Sequence, residues 1–243
     1  FEIRFIGGGP YAQAQRVHAA IAAAGRLGVP ANRDFNGASQ EGAGYYQLTT
    51  NRGLRTSAAK AYLKPARGRA NLNILTNAQA TGLIIENGRA MGVRFRRDGV
   101  DHEMRATRGV VLSAGALQTP HLLMLSGIGP ADHLRAHGVN VLLDRREVGQ
   151  NLQDHLQFRL IYRCTKPITT NDELRSLFGR ARIGLQWFFL RSGPLAIGIN
   201  QGGIFTRVMP GATRPDIQFH IATLSADMAG AKPHPGWSWS TIR

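Results

Sequence analysis

A single cysteine, Cys164, stands in the 243 residues, so an internal disulfide and any multi-cysteine metal cluster are excluded. A reducing compartment is the default for such a chain. Cys164 lies in "LIYRCTK", an alternating run that fits a half-buried strand position at least as well as a nucleophile. No run approaches the roughly 18 apolar residues that span a bilayer, and "FEIRFIGGGP" has no long apolar stretch of a secretory leader. A cytoplasmic location, or one peripheral to the inner membrane, is the expectation. Acidic residues are scarce: 15 against 30 basic ones, a net charge of +15. Such an excess favours anionic partners. Long like-charge blocks are lacking, however. The densest groups, Arg94–Arg97 and Asp144–Glu147, are short and each includes or adjoins an acid, so no nucleic-acid partner is expected. The chain opens on Phe1 and closes on "GWSWSTIR", and both ends read as cut from something longer.

What is present points to an α/β chain. Residues 11–27 are alanine-rich with helical apolar spacing, and Gly28 stops them. Residues 30–56, rich in Gly, Asn, Gln and Thr, read as a long ordered loop. Ser57–Ala66 is a short helix, and 71–77 a strand. Asn87-Gly88 predicts a hairpin within 80–99, and a third strand at 100–106 follows Asp98-Gly99. "GVVLSAG" (109–115) has the unbroken apolar character of a strand buried on both faces. Helices are expected at 119–127, with Pro120 in the first turn, and at 130–138, then a strand at 139–144. After the connector 147–155 the character changes: a long alternating strand, a helix over 172–193, and strands at "GGIFTRV" and "DIQFHIATL".

Small side chains at the end of a buried strand let a ligand reach bare main chain, and parallel sheets bind ligands at that end of their strands. Ser113, Ala114 and Gly115 are therefore candidates to face a nucleotide. The stretch "GALQTPHLLMLSGIG" (115–129) resembles the second signature of the glucose-methanol-choline (GMC) flavin oxidoreductases. "DFNGASQEGAGYYQLT", "RTSAAKAYLKPA", "NLNILTNAQATGL", "VGQNLQDH" and "SGPLAIGINQGGIFTR" resemble further segments of the same family in the same order, most like its choline or alcohol dehydrogenase branch.

The resemblance implies FAD as cofactor, a doubly wound FAD/NAD(P)-binding domain over 1–155, and the start of an antiparallel-sheet substrate domain over 156–243. It implies oxidation of a primary alcohol, choline or another, to an aldehyde by hydride transfer to the flavin. A separate electron acceptor completes the cycle. It implies cofactor contacts at Ala80, through its backbone, at Ser113, Ala114 and Gly115, and at Asn151 and Asp154 in the connector. The family's dinucleotide fingerprint belongs upstream of "DFNG". Gly7, Gly9 and Ala12 imitate it, but Pro10 occupies the turn and no strand ending in an acid follows at about 20 residues. The family's base lies beyond residue 243, so no catalytic residue is assigned, and no metal site either. His133 and His137 share a helix face without the glutamate of His-Glu-x-x-His, and His155 reads as a structural histidine. The expected object is an internal fragment, inactive by itself. A basic module binding nucleic acid or an anionic surface, and a truncated remnant with exposed core, are the alternatives.

Overall fold

The computed structural model describes residues 4–5, 12–164, 169–226, 232–234 and 238–242. In chain order its elements begin with β1 (Arg4–Phe5), α1 (Ala12–Arg26), β2 (Gly42–Tyr45), β3 (Gln47–Leu48), β4 (Thr50–Asn51) and β5 (Leu54–Arg55). A π-helical turn, Ala59–Leu63, leads into α2 (Lys64–Ala66). Then come β6 (Gln79–Glu86), β7 (Arg89–Arg97), β8 (Val100–Arg105), α3 (Gly115–Leu125), β9 (Ile128–Gly129), α4 (Ala131–Ala136) and β10 (Leu143–Asp144). The remainder is β11 (Arg159–Arg163), α5 (Thr170–Arg175), α6 (Leu177–Leu190), a 3-10 turn at Pro194–Ala196, β12 (Asn200–Thr206), β13 (Ile217–Ala222) and β14 (Ser238–Ile242). The chain forms two compact units, one of Phe1–Gly68 with Leu156–Arg243, the other of Arg69–His155.

The first unit is built on an antiparallel sheet of order β11-β14-β13-β12-β2. Its N-terminal strand, β2, lies inside the stretch that sequence reads as a loop. "GAGY" has almost no strand propensity; backbone crowding selects it instead. A side chain at Gly44 would collide with the Asn32 carbonyl, and one at Gly42 would sit 2.6 Å from Asn32 Cβ. With both positions bare, Ala43 N–H donates to Pro30 O at 2.8 Å and Asn32 N–H donates to Ala43 O at 2.9 Å. Helix α1 packs on β12 through Val17, which is fully buried, in the space left by Gly202, where a Cβ would overlap Val17. Gly203 does the same for Tyr46, whose ring lies 5.1 Å from that of His220 and 5.6 Å from buried Phe35. The Tyr46 hydroxyl accepts from Gln218 Nε2 at 2.9 Å, and burial pushes its pKa up to about 12.

At the other end of β13 a buried polar cluster replaces apolar packing. Asn171 Nδ2 donates to Ser225 O and His234 O, both at 3.0 Å, and its Oδ1 accepts from Ser225 N at 3.0 Å. The single helix expected over 172–193 is two helices. Ser176, in extended conformation, caps α6 by accepting from Gly179 N–H at 2.9 Å, and Gly179 must lack a side chain because the Glu173 carbonyl occupies its place. The tip of the β4–β5 hairpin, Arg52-Gly53, lies against the end of α6: Trp187 Nε1 donates to Gly53 O at 3.0 Å.

In the second unit the hairpins expected at Asn87-Gly88 and Asp98-Gly99 form the sheet β6-β7-β8, with all four turn residues at positive φ. Cross-strand ion pairs line it: Arg94–Glu103 at 3.0 Å, Arg96–Asp101 at 2.8 Å and Arg105–Glu86 at 2.6 Å. The guanidinium of Arg105 holds the Glu86 carboxyl below its ordinary range, and that of Arg96 does the same for Asp101. Two expected strands are not formed. Residues 72–76 and 109–113 pair with no described strand, and Val111 is 89% exposed. An apolar strand of a parallel sheet needs a neighbour on each side and a cover on each face, and no described segment supplies them here. Of the strand expected at 139–144 only Leu143–Asp144 pairs, parallel to β9. The glycine imitation at Gly7 and Gly9 lies outside the described residues.

Two outcomes follow for the first unit. Gly203→Ala forces Tyr46 off the sheet and lowers unfolding free energy by about 1–3 kcal/mol, read from urea denaturation. The raised Tyr46 pKa means the folded state holds that phenolic proton more tightly than the unfolded chain. The stabilisation is complete below pH 10, the ordinary tyrosine value, and is lost as pH rises towards about 12. Unfolding midpoints measured across that window fall less steeply for Tyr46→Phe than for the unsubstituted chain.

Candidate functional site

All six residues implied as cofactor contacts belong to the second unit, and three of them, Ser113, Ala114 and Gly115, lead directly into α3. The chain enters α3 through exposed Ser113 and Ala114. Ala114 occupies the cap position with φ −82° and ψ 2° and offers no side chain to the first-turn N–H groups. Gly115 has φ +88°, a left-handed conformation that excludes most other residues, and open space where a side chain would be. No acidic residue stands in the first turn. The start of α3 therefore presents uncapped backbone donors and the positive end of the helix dipole to its surroundings.

The other end of the helix is locked. Ser126 Oγ accepts from Leu83 N–H of β6 at 2.8 Å and donates to Leu122 O at 2.6 Å, both buried. One hydroxyl thus joins α3 to the sheet. Gly127, at φ +84°, turns the chain out of the helix, and its carbonyl accepts from Leu142 N–H at 2.8 Å. A Cβ there would meet Asn140 O at 2.5 Å, and one at Gly129 would meet Met124 Cγ at 2.8 Å. The Ser-Gly-Ile-Gly run is a seam at which helix, β9 and β10 close together. Pro120 lies in the second turn of α3, one turn later than its sequence context suggests, because the helix starts at Gly115. It removes the backbone bond to Ala116 O.

The connector reaches the same frame. Gly149, at φ +81°, is placed so that a side chain would touch Met124 Cε at 3.3 Å and approach Pro120. Asn151 follows at φ +55°, exposed, and Asp154 Oδ1 accepts from His155 N–H at 2.7 Å. Ala80 sits in β6 opposite Phe95, at an irregularity in register between Ala80 and Gly82. The structure thus joins 113–115 and the connector around α3 and ties β6 to the helix at Leu83. It gives no contact among Ala80, Asn151 and Asp154 themselves. An apolar cleft of about 470 Å³ lies beside this frame, with Leu83, Ile85, Val110, Leu112, Leu123 and Leu142 among its walls.

The remaining candidates serve local structure. The rings of His133, on α4, and His137, at its C-cap, lie tilted at 4.5 Å, and His137 Nδ1 lies 2.9 Å from His133 O. Among the described residues no group of three or more His, Cys, Asp or Glu could hold a metal. Asp34 Oδ1 accepts from Asn36 N–H and Gln47 Nε2, both at 2.9 Å, and Glu41 pairs with Arg207 at 3.0 Å. Sequence reasoning did not identify Ser126 as a clamp. A lone serine four residues after a leucine in a helix carries no signal of the strand N–H it will accept.

Replacing Ser126 with Ala leaves the Leu83 N–H buried without an acceptor, at a cost of about 1–3 kcal/mol. Amide hydrogen exchange at Leu83 and urea denaturation check this: exchange quickens locally and the unfolding midpoint falls.

Comparison with known proteins gives this geometry its context. The family described as GMC oxidoreductase matches residues 7–157. Oxygen-dependent choline dehydrogenase of Brucella suis is 43% identical over 204 residues, covering 84% of this chain and 37% of the relative. The protein of the same name from Sinorhizobium fredii is 41% identical over 237 residues, covering 93% and 42%. Among solved structures, pyridoxine 4-oxidase from Mesorbium loti superposes with a TM-score of 0.74 at 28% identity, covering 99% of this chain and 42% of that one. Formate oxidase from Aspergillus oryzae, at 24% identity and a TM-score of 0.79 over 94% of this chain and 43% of its own, shares the fold. The chain spans about two fifths of the length of the curated relatives it matches. With a family match over well more than half its residues and the seam motif in place, this chain belongs to the GMC oxidoreductase family.

Proposed function

We propose that this chain is part of an FAD-dependent enzyme that oxidises a primary alcohol to an aldehyde, and that residues 113–115 lie against the flavin nucleotide. Family membership supports the cofactor. The observation that carries the placement is the start of α3: small residues, no capping side chain, no acid, and open space at Gly115. These features fit an anionic nucleotide, whose phosphate oxygens accept hydrogen bonds from helix N-terminal N–H groups. FAD, when bound, supplies the hydride-accepting ring.

The work of this chain's own residues is binding and orientation. Ser113, Ala114 and Gly115 offer main chain at close range. Ala80 offers its backbone groups from β6. In this reading Asn151 and Asp154 contribute from the connector. In this reading 1–155 contribute to the FAD domain and 156–243 to the substrate domain, although β2 of the former completes a sheet of the latter. The relatives named oxygen-dependent choline dehydrogenase favour a choline-like alcohol as substrate and oxygen or another separate acceptor for the electrons. Among the described residues no helix is long and apolar enough to cross a membrane, and a cytoplasmic site of action is part of the proposal.

Ala114→Asp separates cofactor binding from folding. Aspartate is a favourable helix cap and complements the helix dipole, so unfolding free energy holds or rises by about 1 kcal/mol. The same carboxylate repels and obstructs an anionic nucleotide. In the complete enzyme, flavin absorbance per mole of purified protein falls severalfold while the melting temperature does not. Undiminished flavin content would remove residues 113–115 from the site.

A further inference from the structure

Four of the five arginines of the β6–β8 sheet, Arg94, Arg96, Arg97 and Arg105, stand next to a carboxylate. Those of the segment before it do not. From Gly42 to Ile85 the sequence contains no acidic residue. Within the first unit that stretch carries Arg52, Arg55, Lys60, Lys64 and Arg67, all exposed. None of the five forms an ion pair among the described residues. Lys60, Lys64 and Arg67 follow one another at i, i+4 and i+7 on a helical turn with no buried residue. Like charges at that spacing repel along a helix, and Ala59–Leu63 of the turn is π-helical. None of these five side chains is buried in the unit.

The surface is not purely polar. Tyr62 is 65% exposed, Leu63 42% and Leu54 41%, all interleaved with the five cations. The β4–β5 hairpin carrying Arg52, Leu54 and Arg55 is held in place by the Trp187–Gly53 hydrogen bond at its tip. Lys60 Nζ reaches back to Arg55 O at 3.4 Å, which joins hairpin and helix into one face.

We infer that the face Arg52–Arg67 docks the protein onto an anionic lipid surface. Basic side chains that lack carboxylate partners complement a negatively charged headgroup layer. A tyrosine and two leucines between them suit the boundary between headgroups and acyl chains. A nucleic-acid backbone would use the cations but gives the leucines nothing to pack against.

The test is co-sedimentation of the full chain with vesicles of phosphatidylcholine alone or mixed with phosphatidylglycerol. Binding is expected to the mixed vesicles at low salt, to fall as salt is raised, and to be absent with phosphatidylcholine alone. Lys60→Glu/Lys64→Glu weakens it by about tenfold or more. Arg145→Glu/Arg146→Glu, with the same change of net charge on a different surface, alters it less than about twofold on the same scale. Tyr62→Ser/Leu63→Ser weakens it by about threefold or more. All these residues are exposed, and matching circular dichroism melts establish that each variant folds. Equal binding to neutral vesicles overturns the inference, as does no binding at all, an equal loss from the arginine pair, or no effect of Tyr62→Ser/Leu63→Ser. So does a larger effect of Lys60→Glu/Lys64→Glu on binding to a duplex oligonucleotide than to vesicles, which would make the face a nucleic-acid site.

Discussion

The hydroxyl of Ser126 makes two hydrogen bonds in opposite senses, accepting from β6 and donating within α3. The exposed, uncapped start of α3 is useful only if the helix behind it is fixed, and that bond pair fixes it. Close packing at Gly127 and Gly129 then brings β9 and β10 against the same helix end, and Gly149 adds the connector. A region with no rigid element of its own, residues 113–115, gains a defined position because everything one helix-length away is immobilised. Ligand sites built from bare main chain need such backing, since they contribute no side-chain packing of their own.

Much of this was legible where a local rule acts alone. Asn87-Gly88 and Asp98-Gly99 require positive φ in a two-residue turn, and both hairpins follow. Gly28 and Gly138 stop their helices as expected. Legibility fails where a distant partner decides. The strand "GAGY" exists because Asn32 and Pro30 crowd it on one side and β12 pairs it on the other. Residues 109–113 have the apolar composition of a buried strand, yet no described strand pairs with them. The break between α5 and α6 depends on Ser176 turning from helix interior to cap, which needs Gly179 beside the Glu173 carbonyl.

The candidate site shows the same division. Ser113, Ala114 and Gly115 stand out through a family motif, and spacing alone gives them little weight. The motif did not disclose what its later residues do. Ser-Gly-Ile-Gly reads as a helix stop, whereas in the fold its four positions act as a clamp, a left-handed turn, a strand contact and a close approach to Met124. Charge behaves similarly. A net charge of +15 is visible at once, but only the structure separates arginines paired with carboxylates in the β6–β8 sheet from cations without an ion pair, among the described residues, on the segment before them.

The second unit is an insertion between the two halves of the first, and this has a consequence for synthesis on the ribosome. Contacts within Arg69–His155 close over short stretches of chain, so that unit can complete as soon as it emerges. Strand β2 must wait for β12, whose pairing Gly44↔Gly203 lies far downstream. Until then "GAGY" and the buried face of α1 have no partner. Strand β2 therefore stays unpaired while residues 69–155 are made. Non-local pairing of this kind slows folding and prolongs exposure to aggregation, and here that interval lasts until β12 has been made.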